Sequence, residues 1–102
     1  MARYAYRSSP RVIAHGTLAM LDWDASDVLP TIKVPVLILS GSEDVTTLPS
    51  ASDRMAREIP KARHVSVTPA AHMGPVEQHQ RYARAIAAFV NDRDVARELA
   101  VR

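Results

Sequence analysis

The sequence of 102 residues contains no cysteine, which excludes a disulfide scaffold, a zinc site built on thiolates and a cysteine nucleophile. Long hydrophobic runs are also missing. The longest, residues 34–39, is far shorter than the roughly 18–20 residues of a membrane-spanning helix. No apolar segment follows Met1, so we expect neither a secretory signal nor a membrane span, and a cytoplasmic location is predicted.

The net charge is small, and aromatic side chains are few. The 13 basic residues nearly balance the 11 acidic ones, and the arginines are scattered between acidic residues. Aromatic residues make up 5% of the sequence, too few for a platform that stacks on single-stranded bases. These features argue against nucleic-acid binding. The length fits one small domain, and a content of 47% hydrophobic residues indicates a folded chain.

The first half of the chain contains the strongest strand signal. A helix is predicted over residues 8–21 with Ser9 as its N-cap, and an irregular connector follows it to residue 32. Residues 34–40 are apolar without alternation, which is typical of a strand in a parallel sheet with helices on both faces. Pro35 lies at the start of this strand, where a missing hydrogen-bond donor matters least.

The second half of the chain predicts more helix than strand. The expected elements are a helix over residues 48–59, a strand over 64–68, a long helix over 75–91 and a short helix in the tail. Thr47 or Ser50 is expected to cap the first of these helices. The order predicts an α/β fold, a βαβα unit whose two strands are parallel. Because a two-stranded parallel sheet is marginal alone, the first strand is expected to have a further neighbour.

Asp44 and His72 each follow a predicted strand by a short loop. Because the carboxyl ends of parallel strands meet at one edge of a sheet, the two loops are expected to lie side by side. An aspartate beside a histidine could hold the imidazole in one tautomer and stabilise its protonated form. Either residue alone is more often a turn or surface residue, so the prediction of a catalytic site depends on the pair.

The segments that contain this pair are KVPVLILSGSED (residues 33–44) and PAAHMGPVE (residues 69–77). Together they resemble the last third of the α/β-hydrolase fold, in which an apolar strand ends in Gly-x-x-Asp and the next strand leads to a histidine. The resemblance implies that Asp44 is the acid of a catalytic triad and His72 its general base. Glu77 matches an acidic residue at the start of the last helix and is expected to be structural. Ala71 stands where the family usually has glycine.

The nucleophile elbow of this family, Gly-x-Ser-x-Gly, does not occur in the sequence, whose three glycines are Gly16, Gly41 and Gly74. The resemblance therefore implies a fragment with two triad members of three, in which the strands that carry the serine precede Met1. Such a fragment is expected to be inactive alone. Residues 1–25 are interpreted as the end of a lid-like helical segment, 26–91 as the C-terminal βαβα part of the core, and 92–102 as a tail.

The resemblance implies hydrolysis of an ester or a related bond in a small-molecule substrate, with esterase or lipase activity favoured and no cofactor. The alternative is a non-catalytic relic or interaction module. Its motivation is the open edge of the first strand, which lacks the neighbour that a buried strand needs. Two copies could pair through this edge as a homodimer, or the chain could pair there with its missing N-terminal portion.

Three further sets of polar residues are expected to be structural: Asp22, Asp24 and Asp27; His15, His64 and His79; and Ser40 with Ser42. The aspartates lack the glycine and the terminal glutamate of an EF-hand, so they are predicted to form caps and turns. The histidines share no metal-ligand spacing, so surface positions are expected and no metal site is predicted. The serines are not on a nucleophile elbow and are expected to make local hydrogen bonds.

Overall fold

The computed structural model describes residues 8–100. Its elements, in chain order, are α1 (Pro10–Asp22), a 3₁₀ helix (Ser26–Thr31), β1 (Val36–Gly41), α2 (Pro49–Glu58), β2 (Ala62–Val67), α3 (Gly74–Glu77), α4 (His79–Val90) and α5 (Val95–Ala100). The predicted α/β class is confirmed. The first seven residues of the lid-like segment and the last two of the tail lie outside the described residues. Within residues 8–100, no helix combines the length and the apolar character needed to cross a bilayer.

The two strands pair in parallel, as predicted. Their register runs from Val36 opposite Ala62 to Gly41 opposite Val67. β1 begins after Pro35 rather than at the predicted residue 34, because proline has no N–H to donate to the ladder. β2 begins two residues earlier than predicted. Since the strands are parallel, both of the loops that leave them emerge at the same edge of the sheet.

The core lies between β2 and the helices α4 and α5. Its buried residues are Val67, Ala70, Tyr82, Ala85, Ala88, Val95 and Leu99. On α4, Tyr82 is buried and Phe89 packs against the core, whereas Ile86, which helical periodicity places on the same apolar face, is 52% exposed. The packed face of α4 is instead centred on Ala85 and Ala88, since α5 packs against α4. The helix predicted in the tail is confirmed, with Val95 and Leu99 buried.

The long helix predicted over residues 75–91 is interrupted at Gln78, where the backbone leaves helical geometry (φ −123°, ψ 43°). The Gln78 side chain donates through Nε2 to the carbonyl of Pro69 and accepts at Oε1 from Nη1 of Arg81, 2.5 Å away. Nη2 of Arg81 also donates to the carbonyl of Leu99 at 3.0 Å. These bonds tie the loop after β2 to α4 and α5. Helical periodicity gives no sign of such a break, because the contacts that produce it are tertiary.

Helix α1 begins as predicted, with the hydroxyl of Ser9 accepting a hydrogen bond from the N–H of Val12 at 3.2 Å. None of its residues is buried against the rest of residues 8–100. Apolar side chains on it are widely exposed, among them Val12 at 65% and Leu21 at 75%. No part of residues 8–100 therefore covers the apolar face of α1, and the interpretation of this segment as lid-like stays a prediction.

The connector between α1 and β1 contains a 3₁₀ helix, contrary to the predicted irregular chain. Before it, Oδ1 of Asp24 accepts hydrogen bonds from the backbone N–H and the hydroxyl of Ser26, at 2.8 and 2.6 Å. This is the turn role expected of Asp24. This hydrogen-bonded turn leads directly into the 3₁₀ helix, which composition alone does not indicate.

Candidate active site

The loops that follow β1 and β2 are bonded to each other through their backbones. The N–H of Ser42 donates to the carbonyl of Val67 at 3.0 Å, and the N–H of Glu43 donates to the carbonyl of Ala70 at 2.8 Å. A Cβ atom at Gly41 would lie 2.6 Å from that Ala70 oxygen, so only glycine fits where the loops approach. The close approach fixes the position of one loop relative to the other.

These contacts bring Asp44 and His72 together at the sheet edge. Oδ2 of Asp44 lies 3.1 Å from Nδ1 of His72. Because an ionised carboxylate only accepts hydrogen bonds, Nδ1 carries the proton and donates it. Nε2 of the neutral ring is then unprotonated, and it has no hydrogen-bond partner among residues 8–100. The His72 side chain is 46% exposed, so Nε2 is available to a group brought in from outside.

The carboxylate of Asp44 is held in a buried and densely bonded position, with its side chain 9% exposed. Oδ1 accepts the backbone N–H groups of Thr46 and Thr47 at 2.9 and 3.0 Å, and Oδ2 accepts the hydroxyl of Thr47 at 2.9 Å. Burial raises the pKa of Asp44, but the hydrogen bonds from Thr46, Thr47 and His72 outweigh it and lower the pKa to about 2. Asp44 is therefore a carboxylate throughout the neutral range.

A cavity of about 170 Å³ adjoins the pair and is lined by both of its side chains, by Ser40 and by Tyr82. Burial raises the pKa of Tyr82, whose phenol packs so closely on Gly74 that a Cβ atom there would lie 2.5 Å from the phenolic oxygen. Ligand pockets commonly measure about 300–1,000 Å³, so this cavity has room for only part of a substrate. The remaining walls of a complete site would have to come from elsewhere.

A second group of serine, histidine and aspartate lies beside the first. The hydroxyl of Ser40 is 2.8 Å from Nε2 of His64, and Nδ1 of His64 is 3.2 Å from Oδ1 of Asp53 on α2. The side chain of His64 is 18% exposed, so the predicted surface position is wrong, and Ser40 bonds across the sheet rather than locally. The nearby N–H groups of Ser42 and Glu43 are already donated to carbonyls, so these two groups are not free as oxyanion donors. The group joins β1, β2 and α2, and a structural role for it stays a prediction.

The remaining candidates are not part of the Asp44–His72 contact. Glu77 is exposed at the end of α3, and no hydrogen bond joins its side chain to either residue. In the part of the chain that the structure describes, no three His, Asp or Glu side chains cluster closely enough to hold a metal ion.

The geometry of the two loops agrees with comparisons to known proteins. Residues 19–98, well over half of the chain, match the family model described as TAP-like protein, an α/β-hydrolase family. The chain belongs to this α/β-hydrolase family. The match extends beyond residues 26–91, the part of the chain interpreted from its sequence as the βαβα core. Among curated proteins, no sequence matches the chain significantly.

Solved hydrolase structures share the fold of this α/β-hydrolase chain. It is similar to an enol-lactonase from Burkholderia xenovorans LB400, at 28% identity with a TM-score of 0.65. It is also similar to a hydrolase from Pseudomonas aeruginosa PA01 (30%, TM-score 0.62) and to a malate-bound thermophilic esterase from Thermogutta terrifontis (35%, TM-score 0.64). The alignments cover 68–69% of this chain and 25–26% of those chains. This chain thus spans about a quarter of the structures it matches.

The low pKa of Asp44 predicts how the stability of the chain depends on pH. Because the folded pKa of about 2 lies below the ordinary 3.8, folding favours the ionised form. The stabilisation is complete above pH 3.8 and is lost as the pH falls toward about 2. Urea unfolding at a series of pH values should show a weaker dependence over that window in Asp44→Asn than in the wild type. Equal slopes would contradict the bonding described for Asp44.

Proposed function

We propose that this chain carries the acid and the histidine of a serine hydrolase, with Asp44 as the triad acid and His72 as the general base. The observation that carries the proposal is the 3.1 Å contact between Oδ2 of Asp44 and Nδ1 of His72, which leaves Nε2 free to accept a proton. The order of aspartate before histidine along the chain is also that of the α/β-hydrolases, in which both follow the nucleophile.

In this proposal, the nucleophilic serine comes from a separate portion of the hydrolase fold. The sequence lacks a Gly-x-Ser-x-Gly elbow, and the chain spans about a quarter of the hydrolases it matches. Ser40, beside the cavity, bonds to His64 and not to His72. The edge of β1 that faces away from β2 and the exposed apolar side chains of α1 provide surfaces on which the missing portion would pack.

The assembled site would hydrolyse an ester in two steps. The serine oxygen bonds to the carbonyl carbon while Nε2 of His72 takes the hydroxyl proton, and the same proton goes to the leaving alcohol as its C–O bond breaks. Water then attacks the acyl-enzyme, giving one proton through Nε2 back to the serine and releasing the acid. Asp44 stabilises the imidazolium in both steps, because its charge faces Nδ1 and is held ionised.

A small ester is the substrate class that we propose. Two of the similar structures are named an esterase and an enol-lactonase, and a lactone is a cyclic ester. The cavity beside His72, about 170 Å³, suits a short chain on the part of the substrate that this portion would contact. Lipase activity and a cytoplasmic location stay predictions.

Hydrolysis of a short-chain p-nitrophenyl ester tests the proposal. The purified chain alone should give background rates equal to those of His72→Ala, because two triad members without a nucleophile do not turn over. Addition of an N-terminal hydrolase portion that carries a Gly-x-Ser-x-Gly elbow, as a separate chain or a fusion, should restore hydrolysis. Activity of the isolated chain well above that of His72→Ala would show that it builds a site from its own residues and would overturn the proposal.

The second candidate function is a non-catalytic module that dimerises through the open edge of β1. It is favoured by the edge of β1 that faces away from β2, which has no strand partner within residues 8–100, and by Val34, which precedes β1 and is 63% exposed. Light scattering on the same samples separates the two proposals. A dimer that stays inactive and does not bind the N-terminal portion would support the module, whereas a cooperatively folding monomer would exclude dimerisation.

A further inference from the structure

We infer that Thr47 is a positioning residue whose hydroxyl holds Oδ2 of Asp44 against Nδ1 of His72. Its significance for catalysis rests on the proposed function, but its geometric role belongs to this chain and is testable without any enzyme activity. Thr47 is thus a third side chain in contact with both Asp44 and His72, the two residues that the sequence motif identifies.

Three atoms from three side chains form a closed triangle at the sheet edge. Oγ1 of Thr47 lies 2.9 Å from Oδ2 of Asp44, and the same Oδ2 lies 3.1 Å from Nδ1 of His72. The third side, from Oγ1 to Nδ1, measures 3.4 Å. The hydroxyl therefore touches the oxygen that meets the imidazole, whereas the two backbone N–H groups of the loop hold the other oxygen, Oδ1.

The protons in this triangle have one consistent arrangement. Asp44 is ionised and only accepts, so the single hydroxyl proton of Thr47 points to Oδ2. The lone pairs of Oγ1 then remain on the side of Nδ1, which faces acceptors from both Thr47 and Asp44. Nδ1 is consequently protonated, and the free lone pair of His72 lies on Nε2, where a general base needs it.

The hydroxyl of Thr47 has no competing duty as a helix cap. The sequence predicts Thr47 or Ser50 as the cap of α2, but the N-cap is Leu48 and no side chain there bonds to the first turn. The hydroxyl of a threonine at an N-cap commonly accepts a hydrogen bond from an N–H group of the first helical turn. Here the hydroxyl is turned to Asp44 instead, and the predicted capping role of both residues is wrong.

Removing only this hydroxyl should loosen the acid without disturbing the fold. Thr47 is exposed, and Thr47→Val keeps its size, its β-branch and the backbone N–H that bonds to Oδ1. Oδ2 would lose one of its two partners, so the ionised form of Asp44 would be less stabilised. Thr47→Ser keeps the hydroxyl and should restore what valine removes.

Nuclear magnetic resonance on the full 102-residue chain tests this. We expect Thr47→Val to raise the measured pKa of Asp44 by about 1, a tenfold change in its protonation equilibrium, and Thr47→Ser to leave it near the wild-type value. The ¹⁵N shifts of His72 should report a smaller fraction of the Nδ1–H tautomer in Thr47→Val only. Thr46→Val is the matched control, because Thr46 bonds to Asp44 through its backbone N–H, which the substitution leaves in place.

Two results would show that Thr47 does not position Asp44. The inference is overturned if Thr47→Val and Thr46→Val give the same Asp44 pKa and the same His72 tautomer. It is equally overturned if Thr47→Val alone unfolds the chain, because Thr47 would then be a residue of the fold and not of the pair. Failure of ester hydrolysis with the N-terminal portion would remove the proposed function while the spectroscopic result stands, so the two failures are distinguishable.

Discussion

His72→Ala is expected to lower ester turnover by about 10⁴–10⁶-fold in an active assembly of this chain with a nucleophile-bearing hydrolase portion. In the proposed mechanism the imidazole takes the serine proton and later protonates the leaving alcohol, so its removal would affect both bond-making and bond-breaking. The 3.1 Å contact between Nδ1 of His72 and Oδ2 of Asp44 leaves Nε2 of His72 unprotonated and able to accept that proton. The measurement is kcat for a p-nitrophenyl ester under conditions where both assemblies are shown to be folded and bound.

Two controls sharpen this prediction. His79→Ala removes an exposed histidine at the start of α4 that has no contact with Asp44, and it should retain wild-type turnover. Asp44→Asn should cost about 10⁴-fold, because an amide in place of the carboxylate favours the wrong imidazole tautomer. Since the pair acts as a unit, the double variant should be scarcely slower than His72→Ala alone. A retained rate in His72→Ala, or losses that multiply, would show that the two residues do not act together.

Gly41→Ala is expected to destabilise the chain by about 1–3 kcal/mol, the usual cost of forcing an extra carbon into a packed position. The new Cβ would lie 2.6 and 2.7 Å from the carbonyl oxygens of Ala70 and Ala71, which are backbone atoms of the loop that leads to His72. Backbone cannot rotate away as a flexible side chain can, so the two loops must separate. Urea unfolding measures the loss of stability, and the ¹⁵N shifts of His72 should report a weakened contact with Asp44.

Gly16→Ala is the matched control for this substitution. Gly16 lies within α1, and a Cβ atom there meets nothing within 4 Å. Alanine in place of glycine inside an exposed helix should stabilise the chain by about 0.5–1 kcal/mol. Opposite signs for the two glycines would confirm that the close approach of the loops, and not glycine content in general, sets the effect. Equal effects would contradict the packing described for Gly41.

The sequence predicts best the features that depend on local order along the chain. β1 is identifiable because it is a short apolar run that ends at a glycine and is followed by a polar loop. The pairing of the loops follows from parallel topology, since parallel strands end at one edge. Asp44 and His72 were therefore found together from spacing and residue type, and the hydrolase family from the motifs around them.

The features that the sequence does not predict arise from contacts between residues far apart in the chain. His64 begins the strand predicted over residues 64–68, and only the packing of α2 over both strands places it between Ser40 and Asp53. The break at Gln78 arises because its side chain bonds to the loop carbonyl of Pro69, although the local pattern favours an unbroken helix. Such hydrogen bonds depend on which segments lie close together in the folded chain, and the periodicity of the sequence does not indicate that proximity.

The α/β class, the parallel strand pair and the proximity of Asp44 to His72 follow from the sequence, because the hydrophobic pattern indicates which segments are buried and the order of the elements sets the direction of the strands. The direction of the Thr47 hydroxyl, the need for glycine at position 41 and, within residues 8–100, the exposed apolar face of α1 are visible only in the folded chain. Each of these depends on a distance between atoms brought together by folding. Such distances arise only once the two loops have closed on each other.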